Sequence, residues 1–136
     1  MTESSAREWL YASKSKGMSL GIERVNAALE ALNRPDRDMD CIHVAGSNGK
    51  GSACAQLVAG LVRAGYRVGL FSSPHLISIE ERVRVDGKSV STDQFDKALN
   101  TVKDLNRDLT FFEITYLVAL LACRDAGVSI MVLETG

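Results

Sequence analysis

The chain has 136 residues, of which 46% are hydrophobic and 24% charged, and its formal net charge is -1. This composition supports one cored domain over residues 1–136 and argues against two complete domains. Without a basic stripe or tail, the chain is expected to bind neither nucleic acid nor a membrane surface. The N-terminal residues lack the features of a secretory signal, and the longest mainly apolar run, residues 114–123, is too short to span a bilayer. A cytoplasmic protein is therefore expected.

Two helices are predicted before the first strand. Residues 5–8 fit a capping box that would begin a short first helix. Ile22, Val25 and Leu29 lie three or four positions apart, which predicts a second helix that ends before Pro35.

A glycine-rich turn follows the first predicted strand, residues 41–44. Gly46, Gly49 and Gly51 let the backbone turn sharply, so that successive N–H groups can face an anion, and Lys50 adds a positive charge. The turn therefore predicts a phosphate-binding loop. The alternative is a tight strand-to-helix turn that binds nothing.

The helix predicted at residues 52–64 would point its N-terminus at the same anion, and Gly65 would cap its other end. The turn reads G-x-x-G-K-G-S, which departs from the common pattern G-x-x-x-x-G-K-[ST]. In that pattern the first glycine would fall at Val44.

A second strand at residues 67–71 would complete a βαβ unit with a parallel pair of strands. Ligands of such sheets lie at the carboxyl ends of the strands, so residues 72–75 would lie beside the glycine loop. A serine there could reach a phosphate-bound metal, and a plain serine and proline turn is the alternative.

The remaining elements are a hairpin, two helices and a strand. The hairpin, residues 83–90, turns at Asp86 and Gly87 and is interpreted as an excursion from the main sheet. Capping boxes at residues 91–94 and 110–113 would begin the helices, and the second, apolar on most sides, should be buried on two faces. Glu113 is by default the capping carboxylate of that helix.

The third predicted strand, residues 129–133, is apolar throughout, as in a parallel sheet covered on both faces. It runs into Glu134, which is well placed to hold Mg²⁺ directly or through water.

The histidines and cysteines suggest no further site. Cys41, Cys54 and Cys123 lie far apart in apolar segments, which predicts buried reduced thiols and neither disulfides nor a metal site. His43 lies in the first predicted strand, where a packed core imidazole is expected.

Five segments in order resemble the folylpolyglutamate synthases and dihydrofolate synthases, relatives of the Mur ligases. They are HVAGSNGKGS at residues 43–52, GYRVGLFSSPHL at 65–76, ERVRV at 81–85, LTFFE at 109–113 and VLETG at 132–136. The resemblance implies an α/β fold with a P-loop NTPase-like parallel sheet and flanking helices, and this chain would be the N-terminal part of a Mur-ligase-type ATPase domain. The family's later segments and its C-terminal domain are not part of this sequence.

The resemblance also implies an ATP-dependent ligase that adds L-glutamate to dihydropteroate or to folate glutamate tails through an acyl phosphate. Lys50 would be the catalytic residue, and ATP and Mg²⁺ would be the cofactors. The implied site residues are Asn48, Gly49, Lys50, Gly51 and Ser52 for the ATP phosphates, Ser73 and Glu134 for Mg²⁺, and Leu20, Gly21, Phe111, Phe112 and Glu113 for the pterin or folate.

Because the resemblance stops at residue 136, the chain is expected to be inactive alone. The alternative is a non-catalytic nucleotide-binding module or an assembly piece that needs a second chain. An ordinary P-loop kinase fits the βαβ unit but not the position of the first glycine. A three-stranded sheet would leave two edges, so marginal stability and self-association through an exposed edge are expected.

Overall fold

The computed structural model describes residues 3–16, 21–45, 49–75 and 77–135. Leu20 and Asn48, two of the predicted site residues, lie outside these ranges. The five α-helices of the described residues are α1 (Glu3–Ala12), α2 (Ile22–Ala31), α3 (Lys50–Arg63), α4 (Thr92–Lys103) and α5 (Phe111–Asp125). The strands are β1 (Asp40–Ala45), β2 (Val68–Phe71), β3 (Val83–Val85), β4 (Lys88–Ser89) and β5 (Ile130–Thr135). Short 3₁₀ helices cover Ser13–Lys16, Pro35–Asp38 and Ile79–Arg82.

The strands form one sheet in the order β1-β5-β2-β3-β4. β5 pairs in parallel with both β1 and β2, which confirms the three predicted parallel strands. β1 and β2 do not touch, because β5 inserts between them. β5 is therefore the central parallel strand, and the outer one is β1.

The hairpin of β3 and β4 belongs to the main sheet, so its interpretation as an excursion was wrong. β3 pairs antiparallel with β2, with Phe71 opposite Val83 and Gly69 opposite Val85. This pairing provides hydrogen-bond partners for the backbone groups on the second edge of β2 and buries Val83 completely. The sheet is therefore mixed, with its parallel half on the β1 side.

α5 covers one face of the sheet and is the centre of the main core. Eleven of its fifteen residues are buried, as predicted for a helix that packs on two faces. α4 and α1 pack on its far side. α3 covers the opposite face, where Cys54 and Val58 pack on Val68 and Val132 in a smaller cluster.

The predicted capping boxes at Ser91 and Thr110 are confirmed. Each side chain accepts a hydrogen bond from the backbone N–H three residues later, and the residue there bonds back. The box predicted at residues 5–8 was wrong, because α1 begins at Glu3 and residue 5 already lies in the helix.

β1 is more exposed than the sequence indicated. Cys41 and His43 are both exposed, so the predictions of a buried thiol and a core imidazole were wrong there. An apolar strand sequence does not reveal that the strand lies at an edge. The prediction for the other two cysteines is confirmed, since Cys54 and Cys123 are buried and free. Among the described residues, no helix is long and apolar enough to cross a membrane.

Candidate functional site

The N-terminus of α3 lies at the carboxyl edge of the sheet and is open to an anion. Gly49 precedes the helix with φ 75°, a left-handed conformation that favours glycine. Among the described residues no side chain caps this end, whereas the first-turn N–H groups of a helix have no acceptor within the helix. Gly51 and Ser52 are exposed in that turn, and Lys50 is the first helical residue. These features are those of a phosphate-binding helix terminus.

Glu134 lies beside this helix terminus. It pairs with Val44 at the end of β1, and its carboxylate accepts a hydrogen bond from the buried thiol of Cys54. Burial raises the pKa of Cys54, the negative charge of Glu134 raises it further, and the positive charge of Lys50 opposes the shift. Glu134 and Lys50 therefore both lie near enough to the Cys54 thiol to influence its pKa.

Ser73 lies at the same edge. β2 ends at Phe71, which pairs with Leu133, so the loop that carries Ser73 leaves the sheet next to Glu134. Both side chains are half-buried rather than enclosed in the core. A carboxylate and a hydroxyl are the oxygen ligands that Mg²⁺ prefers, so the two residues fit the predicted metal. Among the described residues, no group of three or more His, Cys, Asp or Glu could hold a metal by itself.

The predicted substrate side is organised by Glu113, whose side chain is fully buried. Its Oε1 accepts hydrogen bonds from Thr110 N at 2.8 Å and from Arg24 Nε at 3.1 Å. Its Oε2 accepts hydrogen bonds from Arg24 Nη2 at 2.9 Å and from Gly21 N. Burial by itself would raise the pKa of Glu113, but the hydrogen bonds from Arg24, Thr110 and Gly21 hold it below its ordinary value. The carboxylate therefore joins the start of α5 to the start of α2.

Phe111 and Phe112 flank this junction differently. Phe111 is 1% exposed and stacks on Tyr11 with ring centroids 6.4 Å apart, so most of it belongs to the core. Phe112 is half-buried and meets Phe71 edge to face at 5.6 Å, beside the loop that follows β2. Gly21 is therefore joined to Glu113, but Phe111 and Glu113 are buried, and Phe112 is the one residue of 111–113 that is partly exposed.

Sequence reasoning missed three residues of this region. Arg24 holds Glu113, Cys54 contacts Glu134, and Arg82 lies over the ring of Phe111 with its guanidinium carbon 5.2 Å from the centroid. Arg82 stands inside the segment ERVRV, but no spacing marks its function. Arg24 lies one helical turn after Gly21. A search of the sequence for a basic residue that could pair with Glu113 would therefore find Arg24.

No family model matches the chain. A curated relative from Escherichia coli, the dihydrofolate synthase/folylpolyglutamate synthase, is 37% identical over 124 residues. The alignment covers 90% of this chain and 29% of that enzyme, so the chain spans less than a third of its length.

Two solved structures share the fold. E. coli FolC in complex with DHPP and ADP superposes with a TM-score of 0.86 at 35% identity, covering 96% of this chain and 33% of that one. The bifunctional folylpolyglutamate synthase/dihydrofolate synthase of Yersinia pestis, complexed with AMPPNP and Mn ion, gives a TM-score of 0.84 at 36% identity with the same coverage.

Proposed function

Because this chain is a homologue of the folylpolyglutamate and dihydrofolate synthases over about a third of their length, we propose that it is the N-terminal part of their ATP-binding domain. The reaction of the whole enzyme would be ATP-dependent addition of L-glutamate to dihydropteroate or to a folate glutamate tail. The observation that carries the proposal is the meeting of the open α3 terminus, Lys50 and Glu134 at the carboxyl edge of a parallel sheet.

Each nucleotide-site residue would have a distinct part. The amides of Gly49, Gly51 and Ser52, together with Asn48, would cradle the phosphates, and Lys50 would neutralise charge on the transferred group. Mg²⁺, when bound between Ser73 and Glu134, would supply further positive charge to the phosphate oxygens. Phosphoryl transfer needs mainly positioning and charge neutralisation, which this arrangement offers.

The chemistry has two steps. The substrate carboxylate attacks the γ-phosphorus of ATP, forming an acyl phosphate and releasing ADP. The amine of L-glutamate then attacks the acyl carbon, and phosphate leaves as the amide forms. The relatives' structures with ADP, AMPPNP, Mn ion and DHPP support this assignment of ligands. Leu20, Gly21, Phe111, Phe112 and Glu113 would line the side of the site that receives the pterin.

Nucleotide binding by the chain tests the proposal directly. Lys50→Ala should weaken binding of ATP with Mg²⁺ by about 1.5–3 kcal/mol, roughly 10- to 100-fold, because a charged hydrogen-bond partner of the phosphates is lost. Its free energy of unfolding should change by less than about 0.5 kcal/mol, as for a surface residue. Isothermal titration calorimetry and urea unfolding measure the two quantities.

The matched control is Lys88→Ala, which removes the same side chain from the exposed hairpin strand β4. It should leave ATP affinity unchanged. Equal affinities of the wild type and Lys50→Ala would remove the glycine loop from the nucleotide site.

A further inference from the structure

Arg82 is a buried arginine with an unused donor. Its residue is 6% exposed, and its Nε donates a hydrogen bond to Nδ1 of His75 at 2.8 Å. Its Nη1 is buried and has no hydrogen-bond partner among the residues that the structure describes. Burial lowers the pKa of Arg82, yet a guanidinium stays protonated in proteins, so a positive charge with an unsatisfied N–H lies below the surface. Such a group is costly unless something supplies an acceptor.

The carboxylates close to Arg82 in sequence bond to other groups, and one of their oxygens, Glu80 Oε1, is buried without a hydrogen-bond partner among the described residues. Glu80 Oε2 accepts hydrogen bonds from Thr92 at 2.7 Å and from Arg7 at 3.2 Å. Glu81 Oε2 accepts from the backbone N–H groups of residues 77 and 78. Among the described residues, no ion pair joins an acid to Arg82.

A second cation lies on the same aromatic ring. Lys14 Nζ is 5.1 Å from the centroid of Phe111 and 5.1 Å from that of Tyr11, in the exposed 3₁₀ helix that follows α1. Its charge and that of Arg82 both lower the pKa of His75, after burial, which is the largest cause. The buried ring of Phe111 therefore has two positive charges close to it.

The position of Arg82 links the two halves of the candidate site. Its carbonyl accepts a hydrogen bond from Ser72 N at 3.0 Å, and its side chain bonds His75. Both partners belong to the loop that carries Ser73, the predicted metal ligand. On its other side the guanidinium covers Phe111, a residue of the predicted pterin surface. An anion held by Arg82 would thus lie between the metal side and the aromatic side.

We propose that Arg82, with Lys14 as the outer cation, binds a carboxylate of the acid substrate. This inference rests on the proposed function and adds a substrate-binding residue to it. Carboxylate oxygens match the fork of a guanidinium and would satisfy Nη1. A folate-type acid offers such a carboxylate.

The test compares a charged and a neutral ligand. Dihydropteroate and its carboxamide are titrated into the wild-type chain, Arg82→Met and Arg82→Lys, with pterin fluorescence as the readout. The wild type should bind the carboxylate at least about tenfold more tightly than the carboxamide. Arg82→Met should lose that preference while its carboxamide affinity stays the same, and Arg82→Lys should retain part of the preference.

Two further variants keep the test decisive. Lys14→Met changes an exposed residue, so it should fold normally and reduce the preference by a smaller factor even if Arg82→Met does not fold. Arg84→Met is the matched control two residues along the chain, and it should preserve the preference.

Several results would overturn the proposal. One is an equal loss of affinity for dihydropteroate and its carboxamide in Arg82→Met. Another is an unchanged preference for the carboxylate in Arg82→Met or Lys14→Met. The third is no binding of either ligand by the wild type. ATP titrations of the same variants separate this inference from the proposed function. Arg82→Met should bind ATP normally where Lys50→Ala does not, and a comparable loss of ATP affinity would assign Arg82 to the nucleotide instead.

Discussion

Gly69 lies where β2 meets α5, and the space above it is already filled. A Cβ built there would be 2.7 Å from Cys123 Sγ and 2.8 Å from Met131 Sδ. Gly69→Ala should therefore force a shift in the core and lower the free energy of unfolding by about 1–3 kcal/mol. Urea denaturation of the two proteins at the same pH measures this difference.

Gly60 provides the control for this substitution. It is exposed within α3, and a Cβ there would meet nothing within 4 Å. Gly60→Ala should raise stability by about 0.4–1 kcal/mol, because alanine restricts the unfolded chain and favours the helix. If both substitutions shifted stability in the same direction, close packing at Gly69 would not be the cause.

At the scale of elements, the contact between α2 and α5 depends on the charge of Glu113. Glu113→Gln should lower the free energy of unfolding at pH 7 by about 1–3 kcal/mol, because the bonds from Arg24 and the backbone lose a charged acceptor. Glu23→Gln, an exposed carboxylate in the first turn of α2, is the control and should cost less than about 0.5 kcal/mol.

The stability that Glu113 contributes through this contact should decrease as the pH falls. The pKa of Glu113 in the folded protein lies below its ordinary value of 4.5. Its stabilising effect is therefore complete above pH 4.5 and declines as the pH falls from there towards the lowered pKa, because the unfolded chain takes up the proton first. The stability difference between the wild type and Glu113→Gln should shrink between pH 5 and pH 3. A constant difference over this range would contradict the assignment.

The helix caps and the carboxyl edge were predictable because their signals are local. Ser91 and Thr110 begin helices through residues three positions away, Lys50 follows a recognisable strand, and Glu134 lies near the end of another. The place of the hairpin in the sheet was not predictable, since nothing in residues 83–90 specifies β2 as their partner. Arg82 was missed for a related reason, because an unused donor appears only after folding has buried it.

For the whole molecule, β1 and β4 are the edge strands of the described sheet, and β1 is the longer of the two. Asp40 N bonds to Ser129 O, so in a parallel ladder the N–H groups of Asp40, Ile42 and Val44 face β5 and that of Cys41 faces outward. We expect the isolated chain to self-associate through this edge, with a sedimentation coefficient that rises with concentration under reducing conditions.

Substitutions at Cys41 test the route of association. Cys41→Pro removes an outward N–H without breaking a bond to β5 and should weaken association. Cys41→Ser removes the thiol alone and should leave association intact. A wild type that sediments as a monodisperse monomer at all concentrations would show that the edge is protected.

The strand order also determines when each strand can pair while the chain is being synthesised. β2, β3 and β4 can pair as soon as they are made, but β1 must wait for β5, since Asp40 pairs with Ile130 about 90 residues later. A ribosome adds about 5–20 residues per second, so β1 remains without its partner for roughly 5–18 s on each nascent chain. Every new molecule thus passes through an interval in which its glycine loop is tethered to an unpaired strand. The proposed nucleotide site, which includes Glu134 of β5, would form only when that interval ends.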